Sequence, residues 1–98
     1  EISGLKDQDL KTIFSDVPST YCSRSELEAG VKLLDLLALT EVCRSKAEAR
    51  RLLKAGGAYV NNQRRQDENT ILTLNDLASE SMLVLRSGKK IYHLVQFN

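Results

Sequence analysis

A chain of 98 residues, 42% hydrophobic and 28% charged, makes one small domain with a single modest core and is too apolar to be disordered. No run approaches the roughly 18 apolar residues of a spanning helix, no signal-peptide pattern opens the chain, and one histidine with two widely spaced cysteines falls short of the about four ligands of a metal centre. The formal charge of only +1 conceals a polarised chain.

The first thirty residues are acidic, with Glu1, Asp7, Asp9, Asp16, Glu26 and Glu28 against Lys6, Lys11 and Arg24. The Glu rather than Met at position 1 predicts an excised or processed piece. Leu10, Ile13 and Phe14, with Val17 a turn on, form one apolar face of a short helix starting near Lys6 and ended by Pro18. Pro18-Ser19-Thr20 reads as a linker. Ser23-Arg24-Ser25-Glu26 has capping-box spacing and predicts a helical turn from Arg24, interrupted at Gly30. From Val31 to Val42 the chain is nearly all apolar, with Lys32, Asp35 and Glu41 its charges, which predicts a helix buried on most sides.

A short Cys43-Arg44 turn joins this helix to its core partner. Ser45 and Glu48 are again a capping-box pair, so the next helix starts at Lys46. Lys46, Arg50 and Lys54 stack on one face with Arg51 beside them, while Ala49, Leu52 and Leu53 point toward a core. Gly56-Gly57 supplies a left-handed stop. Ala58-Tyr59-Val60 reads as a strand, Asn61-Asn62 as a tight turn and Gln63-Arg64-Arg65 as the return. Arg44 to Arg65 holds seven bases (Arg44, Lys46, Arg50, Arg51, Lys54, Arg64, Arg65) against the single acid Glu48, a net +6 that leaves −5 for the remainder. A solvated helix face is the bland account of such a run. A solvated face normally mixes signs at i,i+4, however, and the near absence of acids points to a phosphate-binding surface.

Residues 67–81 are polar, with a strand piece and a helical turn from Asn75. Met82–Arg86 and Ile91–Phe97 then form a terminal hairpin around Ser87-Gly88-Lys89. Lys89 and Lys90 at its tip extend the basic surface. The expected architecture is α+β, two to three helices on a small, mostly antiparallel sheet, with helix 46–55 and hairpin 58–65 presenting one basic groove. The expected phosphate contacts are Lys46, Arg50, Arg51 and Lys54, then Arg44, Arg64 and Arg65.

Catalytic chemistry is not legible. The only histidine, His93, alternates between Ile91 and Val95 on a predicted strand, where it reads as structural. Asp67 and Glu68 are neighbours that an extended chain sends to opposite faces. The glycines lack phosphate-loop spacing, and Cys22 and Cys43 read as two reduced thiols. Tyr59 reads first as a half-buried strand residue and second as a platform for a base.

The run S-K-x-E-A-R-R-L-L-x-x-G-G-x-Y-V-N at Ser45–Asn61 resembles the alpha-L RNA-binding motif, with Asn61-Asn62 where that family has Asn-Gly. L-K-D-Q-D-L-K-T-I-F-S-D-V-P-S at Leu5–Ser19 and R-S-G-K-K-I-Y-H-L-V at Arg86–Val95 resemble, in order, the joining segment and terminal hairpin of the C-terminal domain of bacterial-type tyrosyl-tRNA synthetases. The resemblance implies a helix and linker over 1–22, an RNA-binding domain over 23–98, and tRNA(Tyr) as partner, gripped around its long variable arm and anticodon stem. It implies no cofactor in this chain: ATP, tyrosine and homodimer formation belong to an absent catalytic part. The wording is more like a fungal mitochondrial member than a bacterial one, so the mitochondrial matrix is the expected location and the bacterial cytoplasm the alternative. Structured intron RNA is then a second ligand for the same surface. A protein-interaction module meeting an acidic partner and a stand-alone ribosome-associated protein are the competing readings.

Overall fold

The computed structural model describes residues 5–98; Glu1, counted above among the acids and as a non-Met start, lies outside them. In chain order the elements are α1 (Asp7–Ile13), β1 (Ser19–Cys22), α2 (Arg24–Ala29), β2 (Val31–Lys32), α3 (Leu33–Leu39), α4 (Lys46–Lys54), β3 (Ala58–Val60), β4 (Gln63–Arg65), β5 (Ile71–Leu72), a 3-10 turn (Leu74–Asp76), β6 (Met82–Ser87) and β7 (Ile91–Phe97). The fold is α+β, as expected. The main sheet runs β1-β7-β6-β3-β4, antiparallel except that β1 lies parallel to β7, and β2 pairs with β5 as a separate ribbon.

Strand alternation divides the core in two. Ala58, Val60, Leu83, Leu85, Val95 and Phe97 face α3 and α4, burying Leu33, Leu36, Leu37, Ala49 and Leu53 with them. On the opposite face α1 lays Leu10 against Ala78, Met82, Val84 and Leu94, with Phe14, Val17 and Tyr92 at the margin. The amphipathic face read at Leu10, Phe14 and Val17 is therefore real, although Ile13 points largely to solvent.

Four expectations are corrected. Pro18-Ser19-Thr20 is not a linker: Ser19 and Thr20 open edge strand β1, in register with Leu94 and Val95, and the Leu94 amide donates to the Pro18 carbonyl at 2.9 Å. Nor does Pro18 end α1, which has already stopped at Ile13 with Phe14 as its C-cap; the proline instead leads into an extended chain that the sheet edge can pair. The helix predicted over 31–42 is shorter, because Val31 and Lys32 pair with Leu72 and Ile71 and the Leu33 amide donates to Thr70 O at 3.0 Å. At its far end Thr40 Oγ1 donates back to Leu36 O at 2.9 Å and Glu41 turns to φ 64, so the chain leaves the helix before Val42. Ser23 gives no side-chain cap; its hydroxyl bonds Ser25 Oγ at 2.7 Å, and α2 is held by packing of Leu27.

Candidate nucleic-acid interface

Helix α4 is built as its sequence dictates at both ends. Ser45 Oγ accepts from the Glu48 amide at 3.1 Å, one arm of the expected capping box; the reciprocal Glu48 carboxylate bond is not formed. At the other end Gly56 adopts φ +76, with its amide on Leu53 O and the Gly57 amide on Leu52 O, both at 3.0 Å. That is a Schellman stop. A Cβ on Gly57 would lie 2.7 Å from Leu52 Cδ1, so close packing keeps this position glycine. Ala49 and Leu53 anchor the helix, which leaves Lys46, Arg50, Lys54 and Arg51 exposed along its length of about 13 Å.

The expected cations divide into paired and unpaired groups. Lys46 Nζ lies 3.3 Å from Asp35 of α3. Arg50 Nε lies 3.7 Å and Lys54 Nζ 3.1 Å from the two oxygens of the Glu68 carboxylate. Arg65 meets Asp76 at 3.3 Å in the most shielded of these pairs. Arg44, Arg51, Arg64, Lys89 and Lys90 have no acidic partner among the described residues. Lys89 and Lys90 join the same end of the molecule as Lys54, because the Gly88 amide donates to Gly57 O at 2.8 Å and docks the β6–β7 turn on the helix stop.

The hairpin does not present all its arginines to the helix side. Ala58 pairs with Arg65 and Tyr59 with Arg64, and cross-strand partners share a face. Arg65 thus lies on the α4 side and Arg64 on the other. In place of the single groove expected from helix and hairpin, the basic face is chiefly that of α4: Arg64 leaves the sheet on the opposite face, but its stem bends back to the helix stop, with Cδ and Nε 3.6 and 3.7 Å from where a Cβ on Gly56 would stand.

On that second face the register produces a row the sequence did not reveal. Arg64, Tyr59, Arg86 and Tyr92 stand directly opposite one another across β4, β3, β6 and β7. The Arg86 guanidinium carbon lies 3.7 Å from the Tyr59 ring centroid, and Arg64 Nη2 donates to the Tyr59 hydroxyl at 2.9 Å. The Arg64 hydrogen bond holds the Tyr59 phenol below its usual pKa. With Arg86 on its ring, Tyr59 is a half-buried strand residue, as the first reading had it. Arg86 was missed because only long-range strand register brings it to Tyr59.

His93 is buried and its Nε2 lies 2.7 Å from Thr20 Oγ1; burial pushes its pKa down and Glu41 opposes this. Asp67 stays exposed and folds onto its own turn, accepting the Asn69 amide at 2.8 Å, while Glu68 reaches α4, so the two acids do diverge. Cys22 and Cys43 are free thiols, their pKa values raised by burial and then by nearby Glu26 and Glu48 respectively. Among the described residues no group of three or more His, Cys, Asp or Glu could hold a metal, and no helix is long and apolar enough to cross a membrane. A concavity between α2 and α3, lined by Cys22, Val31, Leu36, Leu39 and Phe97, reaches the basic face at Lys46. An apolar groove there does not suit a polyanion; the open cationic face does.

Comparison with known proteins agrees with this architecture. The family model described as the Tyrosine--tRNA ligase SYY-like C-terminal domain matches residues 9–95. The chain is 42% identical over 97 residues to a tyrosine--tRNA ligase of Rhodopirellula baltica, covering 98% of this chain and 22% of that protein. It is 38% identical over 96 residues to one of Roseiflexus castenholzii, covering 97% of this chain and 23% of the relative. The chain therefore spans about a fifth of the length of these curated relatives. A solved structure described as the solution structure of a tyrosyl-tRNA synthetase C-terminal domain superposes with a TM-score of 0.75 at 34% identity, covering 99% of this chain and 94% of that one. With most of the chain matched in sequence and nearly all of it in structure, it belongs to the family of tyrosine–tRNA ligase C-terminal domains.

Proposed function

We propose that this domain binds tRNA(Tyr) through the α4 face and the β6–β7 turn, and positions it for a tyrosine–tRNA ligase whose catalytic part lies outside this chain. The observation that carries the reading is cationic residues placed where folding alone disfavours them. Arg44 and Lys46 sit at the N-terminal end of α4, where the helix dipole repels positive charge. Arg51 and the Lys89-Lys90 tip are exposed with no acid to neutralise them among the described residues. Local rules broken on one surface mark a functional site.

The domain supplies phosphate contacts and so raises the effective concentration of acceptor end at a distant active site. Tyrosine and ATP chemistry and homodimer formation belong, on this reading, to the catalytic part. The bacterial relatives favour the bacterial cytoplasm over the mitochondrial matrix. No observation favours structured intron RNA as a second ligand.

The test is fluorescence anisotropy of the 98-residue chain with a tRNA(Tyr) carrying a long variable arm, against a short-armed tRNA, over a salt series. Preference for the long arm, a log–log salt slope near −4 as expected for about five phosphate contacts, and loss of binding in Arg50→Glu/Arg51→Glu support the reading. Binding that is absent, or unchanged in the charge-reversed variant, overturns it and directs attention to an acidic protein partner.

A further inference from the structure

Among the described residues, Glu68 is the one acid paired with cations in the middle of the basic face. Its carboxylate spans Arg50 and Lys54, neighbours at i and i+4 on α4, with one oxygen 3.7 Å from Arg50 Nε and the other 3.1 Å from Lys54 Nζ. The Glu68 side chain is 33% exposed, against 48% for Arg50 and 64% for Lys54, so the acid sits in the cleft and the cations stand around it. Its Oε2 is shut from solvent and receives no directed hydrogen bond, so the attraction to Lys54 is one of charge alone. Neither is the acid on a slack loop. The Asp67 side chain caps the Asn69 amide at 2.8 Å, the Thr70 amide and hydroxyl return to Asp67 O at 3.1 and 2.6 Å, and Thr70 O is tied to the Leu33 amide at 3.0 Å. The turn holds the carboxylate against α4.

We infer that Glu68 is a specificity-determining residue for the RNA surface: a built-in anion that occupies the place of a phosphate between Arg50 and Lys54. This rests on the RNA-binding reading above. An incoming phosphate that merely drifts to the face meets a site already neutralised and repelled by a fixed negative charge. A ligand that fits the whole face makes enough contacts with Arg51, Arg44 and the Lys89-Lys90 tip to draw Arg50 and Lys54 outward from the acid. Discrimination comes from a repulsive element that only the matching ligand overcomes.

Glu68→Gln keeps the side-chain volume and removes the charge. Glu28→Gln, on an exposed position of α2 away from this cleft, removes one charge elsewhere as control. Affinities for long-armed tRNA(Tyr), short-armed tRNA and poly(U) are measured by anisotropy over a salt series. For Glu68→Gln we expect binding of poly(U) and short-armed tRNA to tighten about three- to tenfold, the scale of one water-screened charge–charge contact. Long-armed tRNA should gain less, so the preference ratio falls, and the poly(U) salt slope should steepen by about one as a cation is freed for phosphate. The control should change all three ligands slightly and equally. Weaker binding in Glu68→Gln would mean that the acid holds Arg50 and Lys54 in place, and changes equal to the control would mean that only net charge counts; either overturns the inference. Absence of RNA binding in both the wild type and Glu68→Gln, with no effect of Arg51→Glu, overturns the RNA reading itself, a result distinguishable from the other two.

Discussion

At the scale of one residue, Asn61 turns the chain and closes the sheet together. It takes φ 53, its amide donates to Val84 O at 2.8 Å, its Oδ1 accepts the Val84 amide at 2.9 Å, and its Nδ2 donates to Asp76 O at 2.6 Å. Asn61→Ala would strand a buried strand amide and force a Cβ residue without Asn's tolerance into the left-handed region. We expect a loss of about 3 kcal/mol in urea unfolding with the m-value unchanged. Asn62 has φ 64 but a side-chain oxygen with no partner, so Asn62→Gly should fall within about 0.5 kcal/mol of the wild type or be slightly stabilising. The Asn-Asn pair announces the turn in the sequence; the clasp on Val84 is invisible there because the partner stands 23 positions away. His93 makes a second residue-scale prediction. Burial keeps its folded pKa below the unfolded value of about 6.5, so the neutral ring's contribution is whole above that value and declines as pH falls below it. Urea midpoints between pH 7 and 5 should drop more for the wild type than for His93→Gln.

Among the elements, α1 shows how a short helix is held to a domain. Its length of 7 residues is too short for stability on its own. Packing of Leu10 is supplemented by a clamp, in which the Asp7 carboxylate accepts the Ser79 and Ser81 hydroxyls and, at 3.1 Å, the Ser81 amide, while Glu80 Oε2 accepts the Asp7 amide at 2.7 Å. Burial raises the Asp7 pKa, but the bonds from Ser79 and Ser81 outweigh it and leave the value lowered. A lowered carboxylate contributes its stability above the ordinary value of about 3.9 and loses it as pH falls through the folded one. Asp7→Asn should therefore cost about 1–2 kcal/mol at pH 7, a discount on a fully buried charged bond, and the gap to the wild type should narrow as pH falls below about 3.9. Hydrogen exchange should locate the loosening in α1. The helix was legible from its apolar spacing; the clamp and the strand that follows were not. Ser19-Thr20 has no alternation of its own to declare a strand, and becomes one because β7 offers an open edge. The same long-range pairing, β2 on β5, cut the predicted 31–42 helix short.

Across the whole molecule, folding redistributes the charge that the sequence separates. The stretch 44–65 carries +6 as written, but Asp35, Glu68 and Asp76 come from outside it to pair with Lys46, Arg50, Lys54 and Arg65. That leaves +3 from the stretch, and docking of the Lys89-Lys90 turn on Gly57 brings the interface to +5. The cationic face was thus readable from charge alone, while the pairing of its cations was not, since it depends on which acids the fold delivers. This division predicts unequal consequences for equal-looking residues. Among the described residues Arg51 has no acid to leave, so its full charge is available to phosphate. Arg51→Met should weaken tRNA binding about three- to tenfold at 0.1 M salt and flatten the salt slope by about one. Lys46 and Asp35 sum to zero, and removing both as Lys46→Met/Asp35→Asn should leave affinity and slope near the wild type. A double variant that binds as poorly as Arg51→Met would show that Lys46 abandons Asp35 to hold a phosphate while Asp35 stays clear of the RNA. Lys46 would then join Arg44 and Arg51 among the phosphate contacts, its pairing with Asp35 a resting state that RNA displaces.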